Sequence, residues 1–362
     1  MKRILSLCCA LALLLSVPAA IASGTWLTFT EKDVPENLGF LVQEYTGTVT
    51  VTFLGDCTLG GEEKTRASAR GFVRVVEQNG YGYPFRNLLA LTGTDDLTVA
   101  NLEGVLSDRD LPKVKKEYNF IGSAAYTEIL LKGSVDCVTL ANNHTHDYDV
   151  AGYEDTKKAL QAAGVAYFAS DCMAVWRNSE GLMIGFLGVS GSLSGNRAKT
   201  YQKRAELLKS IGCSALVTVM HAGTEYEPVP DAYQRQIVAQ AVRAGCSLVV
   251  GHHPHIVQGF ALESGVPVAY SLGNCVFGGN TNPRDHDALA LRAELRFEEG
   301  ELAETTLRFY PISISGTANR NDFSPVFLTG ADAERVLSKM EQSTGVSVGP
   351  FSKAGGAAVV VP

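Results

Sequence analysis

The sequence predicts a mixed α/β domain built on a largely parallel sheet, and three observations lead there. Between residues 135 and 272, short apolar or β-branched runs alternate with helix-like stretches at the spacing of βαβ units. Two later runs, 288–297 and 302–310, alternate apolar and polar residues around Glu299-Gly300, as an antiparallel hairpin does. The seven histidines fall in four short stretches, three of them where an apolar run stops.

Taken in order, residues 23–46 read as an irregular leader outside the core. Residues 48–54 (Thr-Val-Thr-Val-Thr-Phe-Leu) form a strand by propensity, stopped at Gly55. A helix is expected around 66–78, closed by Asn79-Gly80, then a short strand at 97–100. Residues 113–119 are basic and polar, the signature of a solvated loop. A strand at 135–140 carries Asn142-Asn143-His144 in its following loop, and a helix at 153–163 closes at Gly164. Strands follow at 165–169, 181–189, 215–220, 247–250 and 266–272. Residues 206–211 end a helix, and Asp231 suits the N-cap of another that runs to Ala244. A last helix covers 331–342, and the Gly/Ala/Val-rich tail, 346–362, is expected to be flexible. No linker interrupts the chain, so a single domain spans 47–345.

The N-terminus reads as a processing signal. Lys2-Arg3 precede an apolar run from Ile4 to Val17, with Pro18 and Ala20-Ile21-Ala22 before Ser23. The run is shorter than the roughly 20 residues that span a bilayer. Residues 1–22 are therefore expected to direct export and be cleaved, an uncleaved anchor being the alternative. The six later cysteines, Cys57, Cys137, Cys172, Cys213, Cys246 and Cys275, lack metal-type spacing and are expected as buried thiols, with one bridge at most. A net charge of −7 and no basic stripe exclude nucleic acid as a partner.

Five predicted strands end in Asp56, Glu103, Asn143-His144, His221 and His253-Pro254-His255. In open α/β sheets these ends share one edge, where ligands bind. Carboxylate, amide oxygen and imidazole together suit Mn, Fe or Zn rather than Mg or Ca. One or two such ions are expected; a pair about 3.5–4 Å apart serves ester displacement. Singly, each residue has a plainer reading: Asp56 as a turn or cap residue, Glu103 as a solvated carboxylate, Asn142-Asn143 as Asx turns. Gly251-His252-His253-Pro254-His255 resists one, because crowded imidazoles repel unless something binds them. His146 and His286 are weaker candidates on loop position alone. Glu225 and Asp147 are better placed to support ligands than to be ligands.

The ordered blocks Gly55-Asp56, Asn101-Leu102-Glu103, Leu140-Ala141-Asn142-Asn143-His144 with Asp147-Tyr148, His221-Ala222-Gly223-Thr224-Glu225-Tyr226, Gly251-His252-His253-Pro254-His255 and Ser271-Leu272-Gly273-Asn274 resemble the CapA family. That family is named for capsule (poly-γ-glutamate) synthesis and belongs to the calcineurin-like metallophosphoesterase superfamily. The resemblance implies a four-layer α/β/β/α sandwich with a two-metal centre between the sheets. It implies metal ligands at Asp56, Glu103, Asn143, His221, His253 and His255, and a catalytic His144. Asn101, Asn142, Asp147, Glu225, His252 and Asn274 would support the ligands or touch substrate.

The chain also departs from the pattern. Thr58 stands where the superfamily has a histidine, and Asn-Leu-Glu replaces Gly-Asp-x-x-Asp. Within the family, Ala222, Asp149 and Cys275 replace Trp, Gly and Phe. The first expectation is an exported metal-dependent hydrolase acting on an anionic surface polymer or a phosphoester. The alternatives are a non-catalytic accessory protein of a membrane-bound polymer synthase and a generic phosphoesterase.

Overall fold

Val49, Val51 and Phe53 turn to one side of their strand while Leu54 turns to the other, and both sides are buried. A strand covered on both faces needs a layer on each, which is why these runs read as almost continuously apolar. The computed structural model, which describes residues 24–35 and 44–361, supplies those layers. The expected signal at 1–22 lies outside the described residues. Among the described residues, no helix is long and apolar enough to cross a membrane.

One sheet has nine strands, centred on Gly47–Thr58, which pairs in parallel with Leu97–Leu102 and antiparallel with Asp287–Glu298. Cys137–Thr139 and Ala166–Phe168 continue its parallel half. The other sheet has seven strands, with Met183–Ser190, Ala215–His221 and Leu248–His252 parallel at its centre. Val49, Val51 and Phe53 meet Val217, Val219 and Val250 in the core between the sheets. Leu54 and Val138 pack outward on Phe72, Leu130 and Leu160, whereas Leu216 and Val249 pack outward on Leu208 and Ile237. Helix, sheet, sheet, helix: the protein is a four-layer α/β/β/α sandwich.

Several expected boundaries shift. The strand expected to stop at Gly55 runs on to Thr58, so Asp56 lies within it. A Cβ on Gly55 would stand 2.2 Å from the Gly273 carbonyl, and the Asp56 N–H bonds that carbonyl at 3.0 Å. This glycine permits a close strand contact rather than ending a strand. Asp231 caps Ala232–Arg243 with a full capping box through Gln234. The helix seen only at its end spans Gly195–Ser210, because Tyr201, Ala205 and Leu208 alone form its buried stripe. The strands Met173–Asn178, Phe260–Glu263 and Asn274–Phe277 were not anticipated. The six cysteines among the described residues are free thiols, all buried except the half-buried Cys213.

Two segments placed outside the core belong to it. Within the leader, Gly24–Phe29 pairs antiparallel with Met173–Asn178; Leu27 and Phe29 face the helices while Trp26 packs on Phe186 at 5.2 Å. Within the tail, Ala357–Val361 pairs with the strand Glu301–Ser313 and buries Ala357 and Val361 between the sheets. Both are short and apolar on two faces, so neither shows the alternation that betrays a half-buried strand. Truncation after Gly345 is accordingly expected to cost about 3 kcal/mol or more, from lost apolar burial and an unpaired edge. Urea unfolding measures it, and a curve matching that of the full chain would make the tail an appendage.

Candidate metal centre

The parallel strands of both sheets deliver their C-terminal ends to one place. Asp56, Asn101, Glu103 and the Asn142–Asp147 loop come from the nine-stranded sheet. His221 and the 252–255 loop come from the seven-stranded sheet. The last approach is tight, since a Cβ on Gly251 would lie 2.0 Å from the Tyr270 carbonyl oxygen. His253 (φ 100°) and His255 (φ 57°) then take left-handed backbone conformations that histidine rarely adopts. Such strain persists where surrounding contacts over-determine it, typically at functional sites.

Three sets of donor atoms each fall within 4.8 Å of one another: Asp56 with Glu103 and His255, Glu103 with His221 and His253, and Glu225 with His253 and His255. Glu103 joins the first two sets, as a bridging carboxylate would. It is fully buried, and neither of its oxygens has a hydrogen-bond partner. Burial, reinforced by the Asp56 charge, pushes its carboxyl up to about 8. The opposite holds for Asp56: against burial, the close imidazoles of His252 and His255 hold it well below the usual carboxylate range. His255 is raised to about 10 against the effect of burial, by Glu103 and Asp56. Burial lowers His221 and His253, favouring their neutral, ligating forms.

Supporting bonds orient the donors. The Asn101 amide donates to Asp56 Oδ1 at 2.7 Å and lies 3.1 Å from His221 Nδ1. Asn142 donates to Asn101 Oδ1 at 3.0 Å, and Asn143 Oδ1 stands 2.8 Å from His221 Nε2. Asn274 Oδ1 accepts from His255 Nδ1 at 2.9 Å, which turns Nε2 toward Glu103. His252 Nδ1 is 3.4 Å from Asp56 Oδ1. His144 bonds Asp147 Oδ2 through Nδ1 at 2.7 Å and presents Nε2 3.8 Å from Glu103. Burial lowers His144 despite Asp147 beside it. Thus the six expected ligands, His144 and the expected supporting residues lie together at these strand ends. Glu225 comes closer than a purely supporting role requires, its exposed carboxylate facing His253 and His255.

His146 stacks edge-on against Tyr153 instead, and His286 lines a surface groove with Arg284 and Arg335. Neither shares a donor set. Thr58 is buried with its hydroxyl unpartnered. A cleft of about 350 Å³, bounded by Asn143, Ser190, Ser192, Ala222, Tyr233 and His253, opens beside the donors. Residues 113–119 form the exposed loop expected of them, but Lys116 turns inward from it to reach Asp147 Oδ1 at 2.5 Å, and the adjoining Phe120 stacks on His144 at 4.2 Å. No local pattern announces contacts made across about thirty residues.

The donor set could hold a metal ion, because an orphaned buried carboxylate beside neutral imidazoles is what such an ion satisfies. Without metal, the folded protein keeps a proton on Glu103 up to about 8 that an ordinary glutamate gives up near 4.5. Stability of the metal-free protein therefore falls as pH rises through that window. Glu103→Gln should flatten this fall and stabilise the metal-free chain at pH 8 by about 1–3 kcal/mol. Added Mn or Zn should reverse the order. Thermal melts with chelator and with metal test both, and a variant less stable than the parent in chelator would contradict the reading of Glu103.

Residues 50–279, more than half of the chain, match the family described as bacterial capsule synthesis protein PGA_cap. The capsule biosynthesis protein CapA of Bacillus anthracis is 28% identical over 295 residues, covering 74% of this chain and 68% of that protein. The PGA biosynthesis protein CapA of Bacillus subtilis (strain 168) is 28% identical over 258 residues, covering 66% of each. Among solved structures, TT1561 of Thermus thermophilus overlaps 67% of this chain and 94% of its own at 8% identity and a TM-score of 0.40. Given the matched span and the order of its site residues, the chain belongs to the bacterial capsule synthesis protein PGA_cap family.

Proposed function

We propose that the protein is an exported, metal-dependent hydrolase that acts in the making, export or trimming of an anionic surface polymer such as poly-γ-glutamate. One observation carries the hydrolase reading: Glu103, buried and unpartnered, lies within donor reach of Asp56, His221, His253 and His255. A purely structural site would satisfy such a carboxylate with an arginine or backbone N–H groups. Asp56, Glu103 and His255 would hold one cation; Glu103, His221, His253 and Asn143 would hold a second. When bound, the cations supply Lewis acidity that activates water and stabilises a leaving oxygen.

The chain's own residues do the rest. His144 carries its proton on Nδ1, against Asp147, and turns Nε2 to the centre. Being neutral, Nε2 accepts the proton shed by the attacking water and returns it to the departing oxygen or nitrogen. The cleft beside Asn143 and His253 takes the group next to the bond cleaved. A chain of net charge −7 needs positive charge at the site to admit a polyanion, and bound cations provide it. The family and the two CapA relatives support the polymer reading, and the Lys2-Arg3 apolar run supports the export reading.

The buried, unpartnered Thr58 hydroxyl favours a second reading, an accessory protein that keeps the fold and scaffolds membrane-bound synthase subunits. Elemental analysis and a screen of phosphoesters and γ-glutamyl amides with added Mn separate the two. The hydrolase should carry one or two transition metals per chain, and His144→Ala should keep them while losing about 10²–10⁴-fold in turnover. Absence of metal and of turnover, with polymer formation unaffected by His144→Ala, would leave the scaffold.

A further inference from the structure

We propose that Lys116 is a positioning residue of this centre, holding the His144–Asp147 pair and the Asn143 backbone in one arrangement. Its effect on turnover rests on the hydrolase reading; its effect on His144 does not. The Lys116 ammonium donates to Asp147 Oδ1 at 2.5 Å and to the Asn143 carbonyl at 3.0 Å, and lies 3.2 Å from His144 Nδ1. The lysines nearby behave differently. Lys113 makes a loose 3.5 Å pair with exposed Glu63, its side chain 58% exposed against 28% for Lys116.

The whole segment converges on Asp147. The Val114 N–H and the Asn119 amide donate to the Asp147 carbonyl, at 2.9 and 3.2 Å. The Phe120 N–H donates to Asp147 Oδ2 at 2.6 Å, and the Phe120 ring covers the His144 imidazole. Asp147 Oδ2 thus takes Phe120 N–H and His144 Nδ1–H, while Oδ1 takes Lys116. Among the described residues, Lys116 is the one basic side chain other than His144 paired with this fully buried carboxylate.

Removing the ammonium would leave Oδ1 buried without a donor and the Asn143 carbonyl loose. Asp147 would then be held through Oδ2 alone, by the Phe120 N–H and His144, and Nδ1 would face a less firmly fixed acceptor. The tautomer matters because Nε2 faces the centre only while Nδ1 holds the proton. A wrong tautomer or a tilted ring costs rate without changing what the cleft binds.

The test uses the full chain with ¹⁵N-labelled histidine, first metal-free, with His144 assigned from the spectrum of His144→Ala. The parent should show His144 as a single Nδ1–H tautomer. Lys116→Met should show mixed or exchange-broadened tautomers, and Lys116→Arg, which keeps a cation, should recover the single form in part. In the metal-loaded protein, Lys116→Met compared with the parent at equal metal content should lower kcat about 10–100-fold with KM unchanged. An unaltered His144 spectrum in a folded Lys116→Met variant overturns the proposal. So does a loss expressed in KM alone, which would make Lys116 a surface cation that binds substrate. If the parent hydrolyses nothing, the functional reading fails, and the spectra still decide the role of Lys116.

Discussion

The structure turns on a carboxylate that the protein alone does not satisfy. Glu103 sits at the junction of two sheets with no exposure and no hydrogen bond, next to the ionised Asp56. Burying an isolated charge is expensive enough that such a group ordinarily takes up a proton, and here it does, near neutral pH. Around it the metal-free protein reaches a compromise: Asp56 and His255 form a charged pair, Glu103 stays protonated, and His221 and His253 stay neutral. A bound metal ion would take the place of those protons, so metal affinity and pH would be linked through the same few atoms.

The backbone is built to permit this crowding. Gly55 and Gly251 lie immediately before the carboxylate and the histidine cluster, and at each a side chain would collide with a carbonyl of a neighbouring segment. The left-handed conformations of His253 and His255 are the local cost of turning both imidazoles inward from one short loop. Asn101, Asn142 and Asn274 contribute amides, which orient donors without adding charge. Further carboxylates in those positions would deepen the repulsion that already raises Glu103.

Much of this was legible in the sequence because it is strictly positional. Parallel strands end at one edge, so Asp56, Glu103, Asn143, His221 and His255 could be gathered from the points where apolar runs stop. What escaped has a common physical character. Gly24–Phe29 and Ala357–Val361 are strands apolar on both faces and too short for periodicity to speak. Gly195–Ser210 buries only Tyr201, Ala205 and Leu208 fully, too sparse a stripe for its apolar period to stand out. Lys116 looks like its exposed neighbours, and only the fold reveals that its chain turns back over Asp147. The approach of Glu225 to His253 and His255 likewise depends on loop geometry that no spacing encodes.

The division of donors between the sheets makes the distant core part of the site. Asp56 and Glu103 move with the nine-stranded sheet, His221, His253 and His255 with the seven-stranded one. Any slide of one sheet over the other changes donor distances directly, and a cation tolerates only a few tenths of an ångström. What resists sliding is the apolar layer of Val51, Phe53, Val217 and Val250, together with rare polar stitches such as the bond from Thr28 to the Tyr167 carbonyl at 2.7 Å. Thr28 belongs to one sheet and Tyr167 to the other. The strand that resembled a leader in the sequence therefore helps to fix the spacing on which the metal centre depends.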